Sequence, residues 1–245
     1  MTLKGYFTLI LLAGMITSAP FAVRPVRGKT METKDALWHE TGIVHLPPPR
    51  FESGTSVEKA LLSRRSVREY RDEPLTLAEI GQLLWAAQGV TAPGGFRTAL
   101  SAGALYPLEL YVVAGNVRDL APGIYRYRPQ THTLTPVLPG DRRGELCAAA
   151  LNQAAIRKAP ASLVFSAVFA RTTGKYGERG LRYVYMDHGH AAENVYLQAV
   201  SLHLGTVVIG AFADAAVKRI MSMPPEEEPL SIMPVGRIRG DASGV

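Results

Sequence analysis

The sequence predicts an α+β fold, a single domain in which helices wrap an antiparallel or mixed sheet. Helical and strand periodicities alternate along the chain with no internal repeat. Residues 161–170 form a dense apolar run of the kind a central strand requires, and the long stretch 181–203 keeps apolar side chains at helical intervals. Such helices fall on more than one side of the strands, so the sheet is expected to be covered rather than open.

The elements follow in order. Lys4 precedes an apolar stretch over 6–16, too short for a comfortable membrane span and the right size for a signal-peptide core. Small residues at Thr17, Ser18, Ala19 and Ala22 offer cleavage positions, but Pro20 disfavours both. Residues 1–22 are therefore read as a signal peptide or an N-terminal anchor, with a misassigned start as the alternative. The first two imply an exported or membrane-anchored protein, periplasmic if the source is bacterial, and the third a cytoplasmic one. Residues 23–51 carry Pro25, Gly28, Trp38 and the run Pro47, Pro48, Pro49, and read as an extended surface linker.

A domain over 52–240 comes next. Ser56 can cap a short helix beginning at Val57. A helix is expected over 77–88 with Trp85 on its apolar face, a strand over 108–114, and a hairpin of 123–127 with 133–138 around a turn at 129–132. A helix over 145–151 and a closing strand over 230–235 complete the set.

Composition narrows the function. The chain has 245 residues, a formal charge of +6 and a pI near 9.5, yet its basic residues are scattered and no Lys/Arg run interleaves with aromatics. Nucleic acid is therefore not expected as a partner. An anionic cofactor and anionic substrates account for the excess. The single cysteine, Cys147, excludes an internal disulfide and a cysteine-based metal site, and its helical surroundings read as a small buried apolar position. The Asp187-His188-Gly189-His190 cluster with Glu193 contains ordinary metal ligands. On a helix, however, Asp187, His190 and Asn194 share one face while His188 points elsewhere, so no metal site is expected.

The most informative stretch is Arg64-Arg65-Ser66-Val67-Arg68-Glu69-Tyr70. Guanidinium forks give paired, charge-assisted hydrogen bonds to a phosphate, and Ser66 adds a neutral donor. This stretch, followed by Pro74-Leu75-Thr76 and its helix, resembles the opening of the nitroreductase family of FMN flavoproteins. Ser101-Ala102-Gly103-Ala104-Leu105-Tyr106-Pro107 resembles one branch of that family, the SagB-type dehydrogenases that include azoline oxidases. Lys175-Tyr176-Gly177-Glu178-Arg179-Gly180, Gly189-His190-Ala191-Ala192-Glu193-Asn194 and residues 204–212 follow that branch in the same order.

The resemblance implies a homodimer in which the long helix packs on its partner and each FMN lies in the interface. It assigns Arg64 and Ser66 to the phosphate and ribityl chain, with Arg65 among them, and Arg68 to the flavin N1/O2 edge. Ser101, Ala102 and Gly103 pass beside the ring, Ile209, Gly210 and Ala211 face N5, and Arg237 meets the phosphate. Lys175 and Tyr176 are implied as the proton-handling pair, although Leu181 stands where the branch has a second Tyr. His190 is implied as a hydrogen-bonded interface histidine. The activity implied is two-electron ping-pong oxidoreduction of a small-molecule or peptide-derived substrate. The alternatives are an NAD(P)H-dependent nitro or quinone reductase and a non-catalytic flavin-binding partner of a larger assembly.

Overall fold

The computed structural model describes residues 42–239; residues 1–22, most of the expected linker and Trp38 lie outside them. In chain order the described elements are β1 (Val44–His45), α1 (Val57–Ser63), β2 (Leu75–Thr76), α2 (Leu77–Gln88), β3 (Leu108–Ala114), β4 (Val117–Arg118), β5 (Gly123–Arg128), β6 (Thr133–Pro139), α3 (Arg143–Ala149), α4 (Ala154–Lys158), β7 (Ala161–Ala167), α5 (Ala170–Tyr176), α6 (Arg179–Ser201), β8 (Leu204–Thr206), α7 (Asp214–Ile220) and β9 (Glu228–Arg237).

Seven strands form one sheet in the order β1-β6-β5-β3-β7-β9-β8, every neighbouring pair antiparallel. The apolar run of β7 is fully buried and sits between β3 and β9, as a strand covered on both faces must. Alternation along β3 shows how the covering works. Leu110, Val112 and Ala114 join a core built with α2 and α6, while Tyr111 and Val113 join a second core with Leu146 and Cys147 of α3 and Val217 of α7. The helices therefore lie on both sides of the sheet.

Local chemistry sets the helix ends. The Ser56 hydroxyl accepts from the Lys59 backbone N–H and starts α1. Thr76 and Glu79 form a reciprocal capping box at the start of α2, and losing such a cap costs about 1 kcal/mol. In α6 the core-facing residues Val184, Ala191, Ala192, Val195 and Ala199 are mostly small, so the helix lies close against the sheet. Its outer side leaves Leu181, Tyr185 and Met186 exposed.

Two expectations are modified. The last part of the linker is held on the domain: β1 pairs with β6, Leu46 is buried, and the Gln82 side chain bonds both the N–H and the C=O of Arg50. Trp85 is half-buried rather than core, with its ring 5.5 Å from that of Phe51.

Candidate functional site

α1 stops at Ser63, and the Arg64 to Tyr70 segment leaves the helix to run alongside β8, with Ser66 bridged in parallel to Thr206. Close approach is possible because β8 and β9 present glycines there. A side chain at Gly205 would begin 2.6 Å from Val67, and one at Gly236 would begin 2.8 Å from the Tyr70 ring. Tyr70 is buried and donates to the carbonyls of Val67 and Pro234, which anchors the far end of the segment. Burial pushes its pKa up. Val67 points inward, so Ser66 and Arg68 are left exposed on the other side.

The three arginines behave differently. Arg64 lies over the Tyr196 ring at 5.1 Å and makes no ion pair among the described residues. Arg65 folds back and donates to the carbonyls of Leu62 and Arg64, neutralising the C-terminal end of α1. Arg68 is exposed. Arg237 is engaged elsewhere: it pairs with Glu79 at 3.0 Å and Glu73 at 3.4 Å, and its carbonyl accepts from the Arg71 N–H.

Tyr196 of α6, not singled out by sequence, joins this segment to the next. Its hydroxyl lies 3.3 Å from Ser66 Oγ and accepts from the Val208 N–H at 2.8 Å. The chain then continues through Ile209, which exchanges two backbone hydrogen bonds with Ile232, to Gly210 and Ala211, both exposed. Gln153 donates to the Ala211 carbonyl and fixes that turn. Nothing lies within 4 Å of the point where a side chain on Gly210 would begin.

A second cluster forms around Ser101, Ala102 and Gly103. The buried Asp187 carboxylate accepts from the Ser101 hydroxyl and the Ala102 N–H, and Ser101 Oγ accepts from the Tyr106 N–H. This holds Gly103 at φ +64°, in the left-handed region. Lys175 and Tyr176 at the end of α5 close on it. A methyl group on Gly103 would meet the Tyr176 hydroxyl at 2.7 Å and Lys175 Nζ at 3.1 Å. Lys175 is exposed, and the Tyr176 ring stacks edge-on against Tyr183 at 5.1 Å. Tyr183, two residues past Leu181, thus supplies the second tyrosine of this cluster.

The two clusters sit on opposite flanks of α6. Asp187 and Tyr196 are nine positions apart, which in an α-helix is about 180° around the axis and about 13–14 Å along it.

The Asp187 to His190 sequence does not converge on a common point. His188 points into the sheet, 2.7 Å from Ser231 Oγ and edge-on to Phe165, and burial pushes its pKa down to about 4. His190 Nδ1 is buried without a hydrogen-bond partner among the described residues. Among those residues no three His, Cys, Asp or Glu side chains are grouped to hold a metal, and no helix is long and apolar enough to cross a membrane.

Comparison with known proteins shows which family the chain resembles. A Methanocaldococcus jannaschii protein whose name puts it among the nitroreductases is 49% identical over 181 residues, covering 74% of this chain and 90% of that one. A crystallised Ralstonia eutropha protein, likewise named as a nitroreductase, is 31% identical with a TM-score of 0.70, covering 82% of this chain and 91% of that one. The fold alone is shared with a chain of the E. coli microcin synthetase McbBCD complex, at 23% identity, a TM-score of 0.62 and coverage of 93% and 85%. The sequence model of the Nitroreductase family matches residues 61–237, a span that runs from α1 to the end of β9 and holds both clusters. The chain belongs to the nitroreductase family of oxidoreductases.

Proposed function

We propose that the protein is an FMN-dependent oxidoreductase of the SagB-type dehydrogenase kind, acting as a homodimer that passes two electrons between alternating substrates. The observation that carries this reading is the placement of Arg64, Ser66 and residues 208–211 on one flank of α6, with Gly103, Lys175 and Tyr176 on the other. Within one chain the halves are held about half a turn apart around α6. A dimer packed through the exposed side of α6, where Leu181, Tyr185 and Met186 lie, would set one chain's first half against the other's second half.

The residues present fit an FMN. Arg64 has no acidic partner among the described residues, the Ser66 hydroxyl and Arg68 are exposed, and the exposed backbone at Gly210 carries no side chain that would bar close approach. Bound there, FMN supplies a two-electron carrier that the side chains lack. Arg64 and Ser66 would hold its phosphate by charge-assisted bonds. Arg68 would supply a fixed cation that favours the reduced form. Tyr196 keeps the two binding segments in register. Lys175 and Tyr176 take the proton that leaves the substrate as the hydride departs.

Their convergence on Gly103 supports the dehydrogenase reading over a plain reductase, because hydride delivery from a nicotinamide needs no base. NAD(P)H remains the candidate donor of the second reading. For residues 1–22 the reading proposed is an export signal or N-terminal anchor, with a misassigned start and a cytoplasmic protein as the alternative.

The test uses the chain from residue 23 onward. Offered FMN, FAD and riboflavin, the apoprotein should retain about one FMN per chain, and light scattering at micromolar concentration should return twice the chain mass. Folded protein that takes up no flavin overturns the assignment. Stopped-flow mixing with NADH and NADPH separates the branches: rapid bleaching of the flavin favours a reductase, and inertness favours a dehydrogenase or a non-catalytic flavin-binding partner.

A further inference from the structure

Beside the second cluster lies a cavity of about 340 Å³ between the Leu105 to Leu110 segment and the hairpin of β5 and β6. Its volume is at the lower end of the range of small-molecule sites. Three arginines and one carboxylate, Arg97, Arg128, Arg171 and Glu109, stand in its wall. Glu109 is already shared by Arg126 at 2.9 Å and Arg171 at 2.6 Å. Arg97 donates to the Gln88 amide oxygen and lies over the Tyr106 ring at 4.4 Å, while its buried Nε has no partner among the described residues. Burial pulls its pKa down, opposed in part by Glu109. Arg128, exposed at the rim, reaches only the Thr135 hydroxyl and makes no ion pair among the described residues. Positive charge at this cavity therefore exceeds its compensation.

We propose that this cavity binds a small organic carboxylate, its anion on Arg97 and Arg128 and the rest of the molecule beside Leu105 and Tyr106, the part-exposed apolar side chains of the lining. The charge balance favours a carboxylate over a phosphate, because Glu109 would repel a dianion more strongly than a monoanion.

The cavity adjoins the reacting groups. Arg171 donates to the Tyr106 carbonyl and stands four residues before Lys175 on α5, one turn or about 6 Å away. Tyr106 follows Gly103 by three residues, within about 11 Å of chain. A carboxylate bound here is thus a neighbour of Lys175 and Tyr176 through Arg171 and Tyr106, a placement whose meaning rests on the reading of those two as the reacting pair.

Naphthalene-2-carboxylate and its uncharged amide, both inert to redox chemistry, serve as probes in a ligand-observed NMR titration of the flavin-loaded protein. The carboxylate should bind and the amide should not. Arg97→Gln and Arg128→Gln should each weaken the carboxylate by about 10-fold or more, the scale of a charged hydrogen bond. Thermal melts verify that both variants are folded. Arg128→Gln, at an exposed position, keeps the test intact if Arg97→Gln is unstable. Equal affinity for acid and amide, unchanged affinity in folded variants, or no uptake of the carboxylate overturns the site. Flavin absorbance is read separately, so protein that lacks flavin but binds the carboxylate through Arg97 upholds the site while removing the redox reading.

Discussion

Gly103 and Tyr176 are so placed that a methyl group on the glycine would meet the tyrosine hydroxyl at 2.7 Å, while the glycine backbone holds φ +64°. Strain and collision thus act together at one position. Gly103→Ala should destabilise the fold by about 1–2 kcal/mol from the left-handed backbone alone and displace Tyr176. Urea unfolding measures the first effect. The second should show as slower flavin reduction by an organic substrate, measured per bound FMN.

The proton-handling assignment has its own test. Lys175→Ala and Tyr176→Phe should slow flavin reduction by the organic substrate about 10²-fold or more, leaving FMN content and dimer mass as they were. Where NADH or NADPH reduces the flavin of the unaltered protein, that rate should change little. If both reactions fall together, the flavin pocket has been disturbed; if neither falls, the pair is structural.

Arg64 and Arg65 are neighbours with different occupations. Arg65 bonds its own helix end, whereas Arg64 rests on Tyr196 and makes no ion pair among the described residues. Arg64→Ala should therefore weaken FMN binding by about 1.5–3 kcal/mol. Arg65→Ala should weaken it less and lower the melting temperature instead. Fluorescence titration with FMN and a thermal scan of both variants distinguish the two roles.

His188 makes stability depend on pH. Its pKa falls from 6.5 to about 4 in the folded chain because burial disfavours the imidazolium. Between those values the unfolded state binds more protons, so stability declines as pH drops below about 6.5 and the loss levels off below about 4. The full difference is about 3 kcal/mol. Urea titrations across this range should show the decline, and His188→Gln should flatten it.

The same residues show what a linear sequence can and cannot convey. α2 is legible to the residue because Thr76 and Glu79 write its start locally and its apolar period runs uninterrupted to Gln88. The hairpin of β5 and β6 and the buried β7 are equally plain, each being a signal within a few neighbours. β1, β2, β4 and β8 span two or three residues each and have no period to detect. Site residues divide in the same way. The Arg-Arg-Ser segment stands out by composition, but the roles of Asp187 and Tyr196 rest on partners 86 and 130 positions away, a separation no local pattern encodes. The salt bridge of Glu227 with Arg126 likewise joins residues far apart in the chain and leaves no local signal.

The half-turn between Asp187 and Tyr196 has a genetic consequence. In a symmetric dimer assembled as proposed, a chain defective at Arg64 and a chain defective at Tyr176 damage different halves. Paired together, they leave one site doubly damaged and the other whole. Two alleles, each inactive by itself, would then complement in a mixed cell, restoring up to about a quarter of the normal activity when the chains pair at random. Two lesions within the same half would never do so.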